Sequence, residues 1–123
     1  MSINAIVRLE IPIANTLFVR LLAQPSNLLA ILSKENVRQI SDHVVEQLKD
    51  RDGGPVLTDL HLLKFRYDES TGKGSFRLHF RISRQYCCSD ISGCADDYLD
   101  FKFVYRNENF VAEAAYFQWS LDN

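Results

Sequence analysis

No apolar run in this chain comes near the roughly 18 to 20 residues that cross a bilayer; the longest, Leu28 to Leu32, has five. The stretch from Met1 to Ile13 is equally poor as a secretory leader, because Arg8, Glu10 and Pro12 interrupt its apolar residues. No membrane association is therefore expected. Cysteine is scarce and odd in number, three in 123 residues. That count suits a reducing compartment better than a disulfide framework, so a cytoplasmic location is expected. Proline and glycine are few, three and five, and no linker, repeat or low-complexity segment divides the chain. An excess of one charge is missing too. Fourteen basic and sixteen acidic side chains leave a formal net charge of -2, which draws the molecule neither to nucleic acid nor to an anionic membrane.

The spacings that mark catalysis or cofactors are also lacking. His43, His61 and His79 are scattered, without zinc-protease spacing and without the serine and aspartate partners of a triad. Ser70-Thr71-Gly72-Lys73-Gly74 has the composition of a phosphate loop but neither its spacing nor its following helix, and reads as a hairpin turn. Asp90, Ser92 and Asp96 lack the spacing and closing glutamate of a calcium loop. No metal and no cofactor is expected.

What is present is an ordinary apolar content of 46% with 24% charged residues, enough for one α+β domain over residues 1–123. Ile3, Ala5, Val7, Leu9 and Ile11 alternate with Asn4, Ile6, Arg8 and Glu10, which is the period of a strand that Pro12 ends. Asn15 offers a cap for a short helix to Ala23, and Ser26 or Asn27 restarts one through Leu32. Ser33 is placed to cap the main helix, about 34–50, whose buried stripe is Val37, Ile40, Ser41, Val44, Val45 and Leu48. Gly53-Gly54-Pro55 stops it. Four strands follow: Leu57 to Tyr67, imperfect in its alternation; one through Phe76, Leu78, Phe80 and Ile82; one through Leu99, Phe101, Phe103 and Tyr105; and Phe110 to Trp119. The expected architecture is an N-terminal strand, a helical segment, and a four-stranded antiparallel meander packed on the helices. This order is similar to that of cystatin-like folds, in which a sheet wraps a helix. The Gln-x-Val-x-Gly hairpin of the cystatin inhibitors has no counterpart here, so the resemblance implies a fold and no function.

Three places remain for function. The first is a basic stripe, Arg77, His79 and Arg81, on the polar face of the second meander strand. Pairing of the apolar faces allows a register with Asp100 opposite Arg81, which neutralises much of it. The phenylalanines lie on the other face, which argues against nucleic acid. The second is residues 85–97, which hold Cys87, Cys88 and Cys94 with Asp90, Asp96 and Asp97. The spacing is wrong for zinc, and the carboxylates raise thiol pKa values rather than lower them. The cysteines read as structural, and the long acidic connection reads as a recognition loop. The third is the last strand, apolar on both faces, where Tyr116 and Trp119 suit a partner surface or a homodimer.

The leading expectation is a non-enzymatic protein-binding domain, of inhibitor, immunity or accessory type. The partner-binding residues would be Arg77, His79, Arg81, Asp90, Asp96, Asp97, Tyr116 and Trp119. The alternative is a small-molecule or enzymatic pocket between helix and sheet, floored by Ala112, Ala114 or Ala115 and edged by Tyr116, Tyr105 and His61.

Overall fold

The structure, a computed structural model, describes residues 6–48, 53–85 and 92–116. The chain is α+β, built as β1 (Val7–Pro12), α1 (Asn15–Ala23), α2 (Asn27–Ile31), α3 (Lys34–Gln47), β2 (Val56–Asp68), β3 (Lys73–Gln85), β4 (Ser92–Arg106) and β5 (Asn109–Ala114). The four later strands form the expected meander. The first strand adds antiparallel to β5, giving a five-stranded sheet in the order β1-β5-β4-β3-β2. No helix among the described residues is long and apolar enough to cross a membrane.

Strict alternation makes β1 an amphipathic strand: Val7, Leu9 and Ile11 are buried, and the residues between them are exposed. The same period sends Phe76, Leu78, Phe80 and Ile82 of β3 and Leu99, Phe101, Phe103 and Tyr105 of β4 to one face. Onto that face pack Phe18 and Leu21 of α1, Leu28 of α2, and Ile40 and Val44 of α3. Burying each such side chain contributes about 1.5 to 3 kcal/mol, before the entropy of ordering the chain is subtracted.

The imperfect alternation of β2 has a physical cause. Its inward residues, Leu57, Leu60, Leu62, Phe65 and Tyr67, are spaced three, two, three and two. Register shifts fall between Thr58 and His61 and between Leu63 and Arg66. Each shift contains one residue with positive φ, Asp59 at 53° and Lys64 at 54°. These are β-bulges, which absorb the extra residue and return the next apolar side chain to the core.

Ser33 caps α3 as expected, in a reciprocal box. Its Oγ accepts from the Asn36 N–H at 3.0 Å, and Asn36 Oδ1 accepts from the Ser33 N–H at 3.0 Å. The helix ends at Gln47 rather than near residue 50, and residues 49–52 lie outside the described part. At α1 the cap position is Ala14, not Asn15. The carboxylate of Glu108 serves instead, accepting from the Asn15 N–H at 2.9 Å. Glu108 reaches it from the turn between β4 and β5, where Asn107 and Glu108 have φ of 53° and 60°. Positive φ at both central residues is the pattern of a type I′ hairpin.

Two expectations about β3 and β4 are corrected. Asp100 stands opposite Arg77, and Arg81 faces Asp96, a register four residues from the one inferred. The connection is also shorter than residues 85–97. β3 runs to Gln85 and β4 begins at Ser92, so Asp96 and Asp97 are strand residues. The pairing of Arg84 with Gly93 and of Gln85 with Ser92 extends the ladder through a stretch rich in turn formers.

Candidate functional site

The helices cover one face of the sheet and leave the other to solvent. Cross-strand pairing arranges that open face in rows. One row runs Arg66, Ser75, Lys102, Glu113, Arg8, from one sheet edge to the other. On one side of it lie Leu63, Arg77 and Asp100, then His61, His79 and Tyr98, then Thr58, Arg81 and Asp96. On the other side lie Asp68, Lys73, Val104, Val111 and Glu10. Shallow depressions meet at Lys102. One, about 740 Å³, is lined by Arg8, Lys73, Ser75, Val104, Val111 and Glu113 among others. A second, about 530 Å³, is bounded by Ile6, Tyr98, Asp100 and Ala115. A third, about 270 Å³, holds Lys64, Arg66, Ser75 and Arg77.

Arg77, His79 and Arg81 lie together on this face, and Asp96 joins them. Arg77 makes a two-pronged bond to Asp100, at 2.8 and 3.1 Å, and its guanidinium carbon sits 3.8 Å above the Tyr98 ring. Arg81 donates to Asp96 at 3.2 Å and lies 3.6 Å from Asp59. His79 faces His61 with ring centroids 6.3 Å apart. These ion pairs are half-exposed or more on at least one partner, so each contributes at most about 1 kcal/mol.

Asp97 and Tyr116 are elsewhere. Position 97 pairs with Phe80, which places its carboxylate on the helix side of the sheet. The Tyr116 hydroxyl donates to that carboxylate, and the Asp97 Oδ1 also accepts from the Tyr98 N–H at 2.9 Å. The Tyr116 N–H donates to His43 Nε2 at 3.1 Å. Tyr116 is only 4% exposed, so its ring packs the core, 6.0 Å from Phe80, and presents nothing to a partner. Burial and the Asp97 carboxylate push its phenol well above the usual tyrosine range, and burial holds the His43 imidazole below 6.5. Asp90, Trp119, Cys87 and Cys88 lie outside the described residues. Cys94 is exposed on β4, its sulfur 4.0 Å from the Ser83 hydroxyl.

The residues named for a pocket between helix and sheet are split between two environments. Ala112, Ala114, Tyr105 and Tyr116 are buried, and Phe18 stacks on Tyr105 at 3.7 Å between centroids. His61 is on the opposite, open face. Among the described residues no group of three or more histidine, cysteine, aspartate or glutamate side chains is placed to hold a metal ion.

Sequence reasoning passed over Lys64, Arg66, Lys73 and Lys102 as individuals. The signal available was the motif Asp68-Glu69-Ser70. Aspartate two residues before serine folds into a turn that occupies its carboxylate. Ser70 donates to Asp68 Oδ1 from its hydroxyl at 2.6 Å and from its N–H at 3.0 Å, which lowers the Asp68 pKa and turns that oxygen toward Ser70, while Lys73, its cross-strand neighbour, makes no ion pair with it. No family model, no curated protein and no solved structure matches the chain.

Proposed function

We propose that the protein is a non-enzymatic binding domain that docks another protein on the open face of its sheet. The observation that carries this reading is the face itself. Five strands contribute to it, the helices leave it bare, and shallow depressions converge on Lys102. Shallow, open relief with mixed charged and apolar lining suits a protein surface better than a small molecule, whose sites are concave and bury most of the ligand. Val104, Val111, Leu63 and Tyr98 offer apolar contact between the charges. A cytoplasmic setting belongs to the same proposal and rests on the odd cysteine count.

Lysine-directed cross-linking in the native host tests it. Lys64, Lys73 and Lys102 should join to peptides of a co-purifying protein, and Lys34, on the helix side, should not. Cross-links confined to Lys34 would place the partner on the helices and overturn the proposal.

A further inference from the structure

We infer that the partner presents an acidic segment, and that its carboxylates are received by Lys64, Arg66, Lys73 and Lys102 around the Ser75 hydroxyl. This rests on the docking reading above and supplies the partner's chemistry.

The carboxylates beside these cations are already engaged by other groups. Glu113 is the cross-strand neighbour of Lys102, but it is taken by Arg8 at 2.7 Å. Asp100, which lines the same depression, is taken by Arg77 through both oxygens. Asp68 is the cross-strand neighbour of Lys73, and its Oδ1 is held by its own turn, with no ion pair to Lys73 within 4.0 Å. Arg66 faces the neutral Ser75. Among the described residues none of the four cations has an ion-pair partner within 4.0 Å. They are gathered at one end of the face of a chain whose net charge is -2, so the surplus is local. Lys73 and Lys102 are diagonal neighbours across β3 and β4, and an acidic ligand lessens their repulsion on binding. Four cations in shallow depressions also steer an anionic partner toward this end of the sheet. Single-stranded nucleic acid is the other anionic candidate. It relies on aromatic platforms, and the ring of Tyr98 on this face is already covered by Arg77.

The test uses a labelled polyglutamate peptide and fluorescence anisotropy with the full chain. Saturable binding should appear at about 0.05 M salt and weaken steeply by about 0.3 M. The double variant Arg66→Glu, Lys102→Glu should bind at least about tenfold more weakly, and Lys34→Glu should bind as the parent does. If circular dichroism shows the double reversal unfolded, Arg66→Gln with Lys102→Gln replaces it, with the same direction expected. Absence of saturable binding, equal affinity of the folded double variant, or tighter binding of an oligothymidylate of equal charge would overturn the inference. Failure of the peptide with cross-links still at Lys73 and Lys102 removes only the acidic chemistry. Failure of both removes the docking face as well.

Discussion

Glu108 occupies a backbone position where glycine or asparagine is at ease, at φ 60°. Its carboxylate caps α1, which gives the strained residue a reason to be there. Glu108→Ala keeps the strain and loses the cap, so it should lower unfolding free energy by about 1 kcal/mol. Glu108→Gly loses the cap and relieves the strain, so it should cost distinctly less; equal losses in urea titrations would remove the capping account. Gly74 is constrained differently. A β-carbon there would run into the Arg66 carbonyl and the Phe103 ring, and Gly74→Ala should cost about 1 to 3 kcal/mol in the same assay. His43 gives a pH signature. Its Nε2 accepts a hydrogen bond and burial lowers its pKa, so the folded protein prefers the neutral ring. The unfolded chain takes up its proton first as pH falls below 6.5, and stability should decline from there until the folded pKa is passed. His43→Gln keeps an acceptor without the titration, and its urea midpoint should be flatter between about pH 8 and 5. Tyr116 acts at the other end. Its raised pKa stabilises the fold below pH 10.0, and that contribution is lost as pH climbs above it.

Among the elements, α3 was the most legible, because Ser33 and the stripe through Ile40 and Val44 are local signals that tertiary contacts only reinforce. β2 was legible in kind but not in form. Its apolar spacing already encodes two bulges, yet a bulge is visible only once a partner strand fixes the register. Deleting Lys64 should therefore remove one bulge, leave Leu62, Phe65 and Tyr67 in plain alternation and keep unfolding cooperative, whereas deleting Arg77 from the unbulged β3 should turn half of that strand's apolar side chains outward and abolish it. Thermal melts of the two variants would separate these outcomes. The β3–β4 register was not legible, because alternation fixes only which face a residue takes, and slips of two or four residues keep every face. The register found joins both Arg77 to Asp100 and Arg81 to Asp96, whereas the one inferred joined Arg81 alone. Residues 92–97 were misjudged as loop because their composition favours turns, and only the long-range ladder with β3 makes them strand. That error moved Asp97 from an imagined recognition loop to the helix side of the sheet.

For the molecule as a whole, charge is partitioned by commitment rather than by amount. The open face holds pairs that neutralise each other at Arg77 and Arg81, and a cluster left over at Lys64, Arg66, Lys73 and Lys102. Sequence alone showed the basic stripe at Arg77 and Arg81 but not which cations of the face are paired, since that depends on Ser70, Arg8 and the register together. Among the described residues Lys102 and its diagonal neighbour Lys73 have no ion pair, so keeping both is expected to cost a little stability. Lys102→Gln should raise the unfolding free energy by about 0.5 kcal/mol or less, read from denaturant midpoints at low salt; a clear loss instead would mean that Lys102 is compensated. The bulges of β2 bear on the same question from the side. β2 is an edge strand, and a bulged edge is a poor template for another strand. A strand added at that edge would meet both irregularities, so under the proposed docking side chains of the face, not main-chain pairing at β2, would do the recognising. An interface of that kind reads the density of a partner's charge more than the order of its residues. If the proposed docking holds, a shuffled acidic segment should serve as well as the natural one, and the partner's sequence would be free to drift as long as its charge is kept.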